Sequence, residues 1–297
     1  MHINLIREIL MSDSSVYINP LTDFGFKYLF GQIEHKEFFI SLVNALLDDD
    51  QQISDVEFVD KEHIRENKDS RAIIYDVHCL TTDGKKIIVE MQNRYQSKFR
   101  DRAVFYLAAD IYRQGKKGND WDYSLTPVYG IFMMNFDWKE GKDEQIRDDV
   151  GLLNKRTGEV FSDKMSMTFL KIPLMDKDPE ACRDSLDRWL YMLKHMDKMK
   201  AIPNTFTKDP VFKRLGEVAK VRALNDDERR AYEASLKVYR DNYAIALTER
   251  EEGIKEGIGQ GENIMLRKNV SSLRSKGFTD EDIADMLDQS LSTISNL

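Results

Sequence analysis

The 297-residue chain is 41% hydrophobic with a formal net charge of -8, a balance that suits one or two globular domains with a real core and excludes disorder across the whole chain. No run reaches the roughly 20 apolar residues of a membrane span, and the opening MHINLIREIL lacks the basic flank and long apolar stretch of a secretory signal, so a cytoplasmic protein is expected. Cys79 and Cys182 show no metal-ligand spacing and read as buried reduced thiols, while the acidic total excludes a surface coated throughout in nucleic acid but not a local basic patch.

Residues 1–19 read as a loose leader in which Met11 is a second candidate start, and the fold is expected from Pro20. Between Asp23 and Leu47 the positions Phe26, Leu29, Phe30, Phe38, Leu42, Val43 and Leu46 recur at helical spacing, interrupted near Gly31, and Asp48 to Asp50 end the run. ISDVEFV (53–59), RAIIYDVHCL (71–80) and KKIIVEMQ (85–92) are short, β-branched and bounded by polar turn residues, which predicts three consecutive strands. Residues 98–114 then predict a helix with Val104, Leu107, Ala108 and Ile111 on its apolar stripe, and LTPVYGIFMMNF (125–136) a strand that the helix brings back in parallel. A hairpin around Lys155 to Gly158 and a strand in MTFLKIPL follow, and beyond Asp178 the pattern is helical. The fold class is therefore α/β, a mixed sheet flanked by helices with an α-helical C-terminal region.

That region carries Tyr232, Leu236, Tyr239, Tyr243 and Ala246 on one stripe, then Gly253, Gly257 and Gly261 at intervals of four. The glycines read either as a close helix contact or as a frayed, glycine-weakened helix or linker. The chain ends in a short helix-turn-helix-like unit in which Thr279 caps, Ile283 and Leu287 pack and Ser290 starts a second helix of about seven residues, open to packing, dimerisation or DNA reading. The expected division is 1–19 leader, 20–175 α/β domain, 176–262 helical region suited to dimerisation, and 263–297 tail.

Asp76, Glu90 and Gln92 interrupt otherwise apolar strands. If Thr82, Asp83 and Gly84 form a three-residue loop with Gly84 left-handed, Thr81 opposes Lys85 and Asp76 opposes Glu90; a two-residue Asp83-Gly84 turn would instead send the carboxylates to opposite faces. The first register is preferred because it places Ile73, Tyr75, Val77 and Cys79 with Ile87, Val89 and Met91 on one apolar face. Two facing carboxylates call for a cation between them, and their hard oxygens suit Mg²⁺ or Mn²⁺. The competing reading pairs them with Lys85, Lys86 or Arg71 at the surface. His78 reads as a satisfied neighbour.

Asp76, thirteen intervening residues and Glu90-Met91-Gln92 resemble the PD-(D/E)xK signature with Gln in place of the usual Lys. With NPLTDFGFKYLFG (19–31), FFISLVNALL (38–47) and the helix bearing Arg102 and Tyr106, the chain resembles the PD-(D/E)xK family transposases, or recombination-promoting nucleases. The resemblance implies a restriction-endonuclease-like core and a metal-dependent DNA phosphodiesterase. It implies that Asp76, Glu90 and the carbonyl of Met91 hold the metal and that Gln92 orients the water. Asp23, Lys27, Arg102 and Tyr106 would border or support the site, with a helix cap as the competing role for Asp23 and a core role for Tyr106 and Phe26. Gln92 cannot supply a lysine's charge, so Lys27, Arg102 or a second metal would have to substitute. Arg94, Lys98, Arg100, Arg102, Arg113, Lys116 and Lys117 form a basic run that reads as DNA-contacting or as a solvated helix face. A catalytically silent DNA-binding or oligomerisation protein and an RNA-directed nuclease are the alternatives.

Overall fold

A computed structural model describes residues 15–47, 51–59, 75–116, 121–136 and 145–297. The leader up to residue 14 with Met11, the helix stop at 48–50, Arg71 to Ile74 of the expected second strand, and Lys117 lie outside the described residues.

Two compact units emerge, 1–242 and 243–297. In the first, helix α1 (Asp23–Phe30) and α2 (Lys36–Asn44) are separated at Gly31 by a 3-10 turn over Ile33–His35. Strands β1 (Val56–Phe58), β2 (Val77–Thr81) and β3 (Lys86–Gln92) follow, then α3 (Phe99–Tyr112) and β4 (Val128–Met134). A hairpin of β5 (Arg147–Leu153) and β6 (Val160–Lys171), α4 (Ser185–His195) and α5 (Pro210–Val218) come next, and α6 (Asp226–Ser275) begins in this unit. Among the described residues the strands form one six-stranded sheet in the order β1-β2-β3-β4-β6-β5. The β3–β4 and β4–β6 pairs are parallel and the others antiparallel, so α3 is the crossover that returns β4 in parallel.

The sheet is sandwiched between two helix layers. Val77, Cys79, Ile87, Val89, Ile131, Met133 and Leu170 share one core with Phe26, Phe38, Trp189 and Phe212 from α1, α2, α4 and α5. On the opposite face Ile88, Phe132, Met134 and Phe169 pack against Phe99, Ala103 and Leu107 of α3. Such a three-layer arrangement covers both faces of the central strand β4, which is why its sequence, VYGIFMM, is apolar along its length. Gly130 lets α3 approach: a Cβ there would stand 2.7 Å from Leu107 Cδ1.

Several expectations need correction. Strands β1 and β2 are shorter than predicted, and Tyr75 leaves the face shared by Val77 and Cys79 to join the α3 layer. The cause is a backbone bend at Asp76, which ends strict alternation one residue before β2. In α3 the buried stripe is Phe99, Ala103, Leu107 and Asp110, whereas Val104 and Ala108 are exposed. The glycine-spaced segment is not a linker but lies within continuous α6. Cys79 and Cys182 are buried free thiols as expected.

In the second unit Leu266, Val270 and Leu273 of α6 pack with Ile283, Ala284 and Leu287 of α7 (Asp280–Met286) and Ile294 of α8 (Leu291–Ser295). Thr279 and Asp282 form a reciprocal cap on α7, and Ser290 caps α8, which has 5 residues. Among the described residues no helix is long and apolar enough to cross a membrane.

Candidate active site

The β2–β3 connection fixes the geometry. Thr81 N–H donates to Lys85 O at 2.9 Å, Gly84 has φ +83°, and the ladder runs Val77 to Val89, His78 to Ile88 and Cys79 to Ile87. This is the three-residue loop, and the next position outward opposes Asp76 to Glu90. There side chains take over from the backbone ladder: Asp76 N–H donates to Glu90 Oε1 at 3.2 Å, and Asp76 Oδ2 accepts Met91 N–H at 2.8 Å. Lys85 Nζ lies 3.0 Å from Asp83 Oδ2, and Arg71 of the surface-pair alternative lies outside the described residues.

The pair sits at the carboxyl end of β3, where parallel strands open a crevice. Glu90 is 6% exposed. Burial first, and the facing Asp76 carboxylate second, push its carboxyl up to about 8, against the opposing pull of Arg102, the Asp76 amide and Lys27. Lys27 of α1 places Nζ 3.9 Å from Asp76 Oδ1 and pairs with Asp23 one turn earlier. Asp23 is not the helix cap: Thr22 is, accepting Gly25 N–H at 3.0 Å.

Gln92 reaches toward α3. Its Oε1 accepts from Arg102 Nη2 at 2.6 Å and its Nε2 donates to Arg94 O at 2.8 Å. Arg102 also donates through Nη1 to Gln96 Oε1 at 2.8 Å, and its guanidinium lies 5.1 Å from the Phe99 ring centroid and 5.8 Å from that of Tyr106. Phe26, by contrast, is core.

Lys98 and Arg100 are exposed at the start of α3 and Arg94 is half-buried just before it. Lys116 stands beyond the other end of this 14-residue helix, about 20 Å away along its axis. Arg113 turns inward instead, with Nη1 2.9 Å from Asp110 Oδ1. His78 Nε2 approaches Asp110 Oδ2 to 3.1 Å, close enough for an ion pair but not aligned as a hydrogen bond. His78, expected to be satisfied, is instead buried beside α3 with neither ring nitrogen hydrogen-bonded among the described residues.

Three side chains, Asn93, Asn135 and Asn242, were not singled out from sequence. Asn93 Nδ2 donates to Leu21 O at 2.7 Å; Asn135 Nδ2 donates to Asn93 Oδ1 at 3.1 Å and to Tyr239 Oη at 3.2 Å; Arg94 Nη1 donates to Asn242 Oδ1 at 3.4 Å. These bonds tie the ends of β3 and β4 to α6. The polar Asn93 and Asn135 directly after apolar strands were the available signal.

The donor chemistry fits a hard divalent cation. Among the described residues no three His, Cys, Asp or Glu side chains cluster, so protein oxygens would come from the Asp76 and Glu90 carboxylates and the Met91 carbonyl, with water or substrate completing the shell. Burial first and Asp76 second disfavour the ionised form of Glu90, and a bound cation would favour it.

A family model described as PD-(D/E)XK nuclease family transposase matches residues 20–249, well over half the chain. No curated protein and no solved structure matches.

Proposed function

Because the chain belongs to the PD-(D/E)XK nuclease family transposases, we propose that it is a divalent-metal-dependent DNA endonuclease of the recombination-promoting or transposase-like kind. The convergence of Asp76 and Glu90, with Glu90 buried and short of positive charge, carries this reading. Asp76 and Glu90 hold Mg²⁺ or Mn²⁺ with help from the Met91 carbonyl. When bound, the ion polarises the phosphoryl oxygen and lowers the pKa of a water. Lys27, kept near Asp76 by Asp23, adds positive charge at the rim. Arg94, Lys98 and Arg100 draw the DNA backbone to the mouth, and Lys116, with Lys117 beyond the described residues, extends the contact along the duplex. Water attacks phosphorus, one P–O ester bond breaks, and the leaving oxygen takes up a proton.

The test is plasmid nicking in Mg²⁺ or Mn²⁺ by the wild-type chain, Asp76→Asn and Glu90→Gln. Asn and Gln retain an oxygen that can accept the Met91 or Asp76 amide, so folding is spared. Cleavage confined to the wild type is expected; equal nicking by all three refutes the assignment, and preference for matched RNA would reassign the substrate. A second reading, a catalytically silent DNA-binding protein, draws on Lys27 lying 3.9 Å from Asp76 and on Gln92 in place of a cation. It predicts metal-independent binding without cleavage. A homodimer through α6 completes the proposal.

A further inference from the structure

Arg102 is a permanently charged side chain whose partners are all neutral. Its two terminal nitrogens bond the amide oxygens of Gln92 and Gln96, its plane rests near Phe99 and Tyr106, and among the described residues no carboxylate pairs with it. Buried or half-buried arginines ordinarily acquire an acid partner. Gln92, which holds Arg102, stands two residues beyond Glu90 on β3. Gln92, meanwhile, has its oxygen turned to the guanidinium and its nitrogen turned to the Arg94 carbonyl.

The geometry points to Arg102 as the catalytic cation of the site, contacting a non-bridging oxygen of the scissile phosphate, with Gln92 a positioning residue that holds the guanidinium without neutralising it. The inference rests on the nuclease reading and changes one part of what the resemblance implies: Gln92 serves the arginine, not the water. A guanidinium presents a planar fork matched to phosphate oxygens, and a donor already in place stabilises charge that develops as water adds to phosphorus. An amide is the appropriate holder, because a carboxylate at position 92 would accept the same hydrogen bond and cancel the charge.

That contrast supplies the experiment, on the full-length protein. Arg102→Met, Gln92→Glu, Arg102→Lys and the double variant Gln92→Lys/Arg102→Met are compared in Mg²⁺-dependent cleavage and, separately, in metal-free binding to a short DNA duplex across a salt series. Arg102→Met is expected to lose about 10²–10³-fold in kcat, the usual scale for one removed charge-stabilising donor. It should also flatten the slope of log affinity against log salt by about 0.9, one phosphate contact. Gln92→Glu should reproduce both effects, Arg102→Lys should keep the slope and part of the rate, and the double variant should regain more than about tenfold of the lost rate. Retained activity in Gln92→Glu together with an unchanged slope in Arg102→Met overturns the proposal, since a water-orienting Gln92 would tolerate or exploit a carboxylate. If wild-type cleavage does not depend on Asp76 and Glu90, the nuclease reading itself has failed; the metal-free slope then decides the Arg102 contact alone, and an unchanged slope ends it.

Discussion

Glu90 is a side chain costly to the fold at the position where the proposed chemistry would use it. Its carboxyl stands near 8 when folded, through burial and then Asp76, against about 4.3 in an unfolded chain. Between those values the folded protein binds more protons than the unfolded one. The metal-free protein is therefore most stable with respect to this group below about pH 4 and loses stability as pH rises toward 8, by roughly a few kcal/mol in total. Above pH 8 the loss levels off. Glu90→Gln removes the titration, so thermal melts of the metal-free variant should match the wild type near pH 5 and exceed it at pH 8, while Mg²⁺ should raise the wild-type melt at pH 8 and not the variant's. A wild-type melt that climbs steadily from pH 5 to 8 relative to the variant would remove the carboxylate pair from the account.

At the level of elements, α3 is the part that must be placed accurately, because it brings Arg102 to Gln92 across a helix–sheet interface. Gly130 sets its height: a Cβ there would meet Leu107 Cδ1 and Phe132 Cε2, both at 2.7 Å. Gly130→Ala should destabilise by about 1–3 kcal/mol as an overpacked core and reduce cleavage further than the lost folded fraction explains. Leu107→Ala in the same chain should restore part of both, measured by urea unfolding and by rate per folded molecule; additive losses would mean that the helix does not move as a unit.

This interface also separates what the sequence disclosed from what it withheld. The facing of Asp76 and Glu90 was legible because strand parity and a left-handed Gly84 leave few registers. The orientation of α3 was not. Hydropathy favours Val104 and Ala108 inside and Asp110 outside, yet Asp110 is 1% exposed because His78 and Arg113 converge on it from β2 and α3. A partner on another element, His78 of β2, and a local one, Arg113 three residues on, overrode the apolar pattern at Asp110. The Asn135–Tyr239 contact joins residues 104 apart, a separation that no local pattern encodes.

On the scale of the whole molecule, α6 raises a question about partners. This 50-residue helix carries Gly253, Gly257, Gly259 and Gly261, and a Cβ at any of them would meet nothing within 4 Å in the single chain. Each glycine costs an exposed helix about 1 kcal/mol relative to alanine. Ile254, Ile258 and Met265 lie exposed on the same segment, at intervals of four and seven that keep them on one stripe with Gly257 and Gly261. An apolar stripe that pays this penalty for small residues is suited to a second helix at close range, and a second copy of the chain provides an identical one. Ile254→Glu/Ile258→Glu should leave the fold of each chain intact, because neither residue packs within it, and should halve the mass seen by light scattering at concentrations where the wild type is dimeric. Gly257→Ala/Gly261→Ala should raise helicity while weakening the same dimer, a combination that simple helix repair would not produce. A wild type that is monomeric, or a charged variant of unchanged mass, places the self-contact elsewhere or removes it.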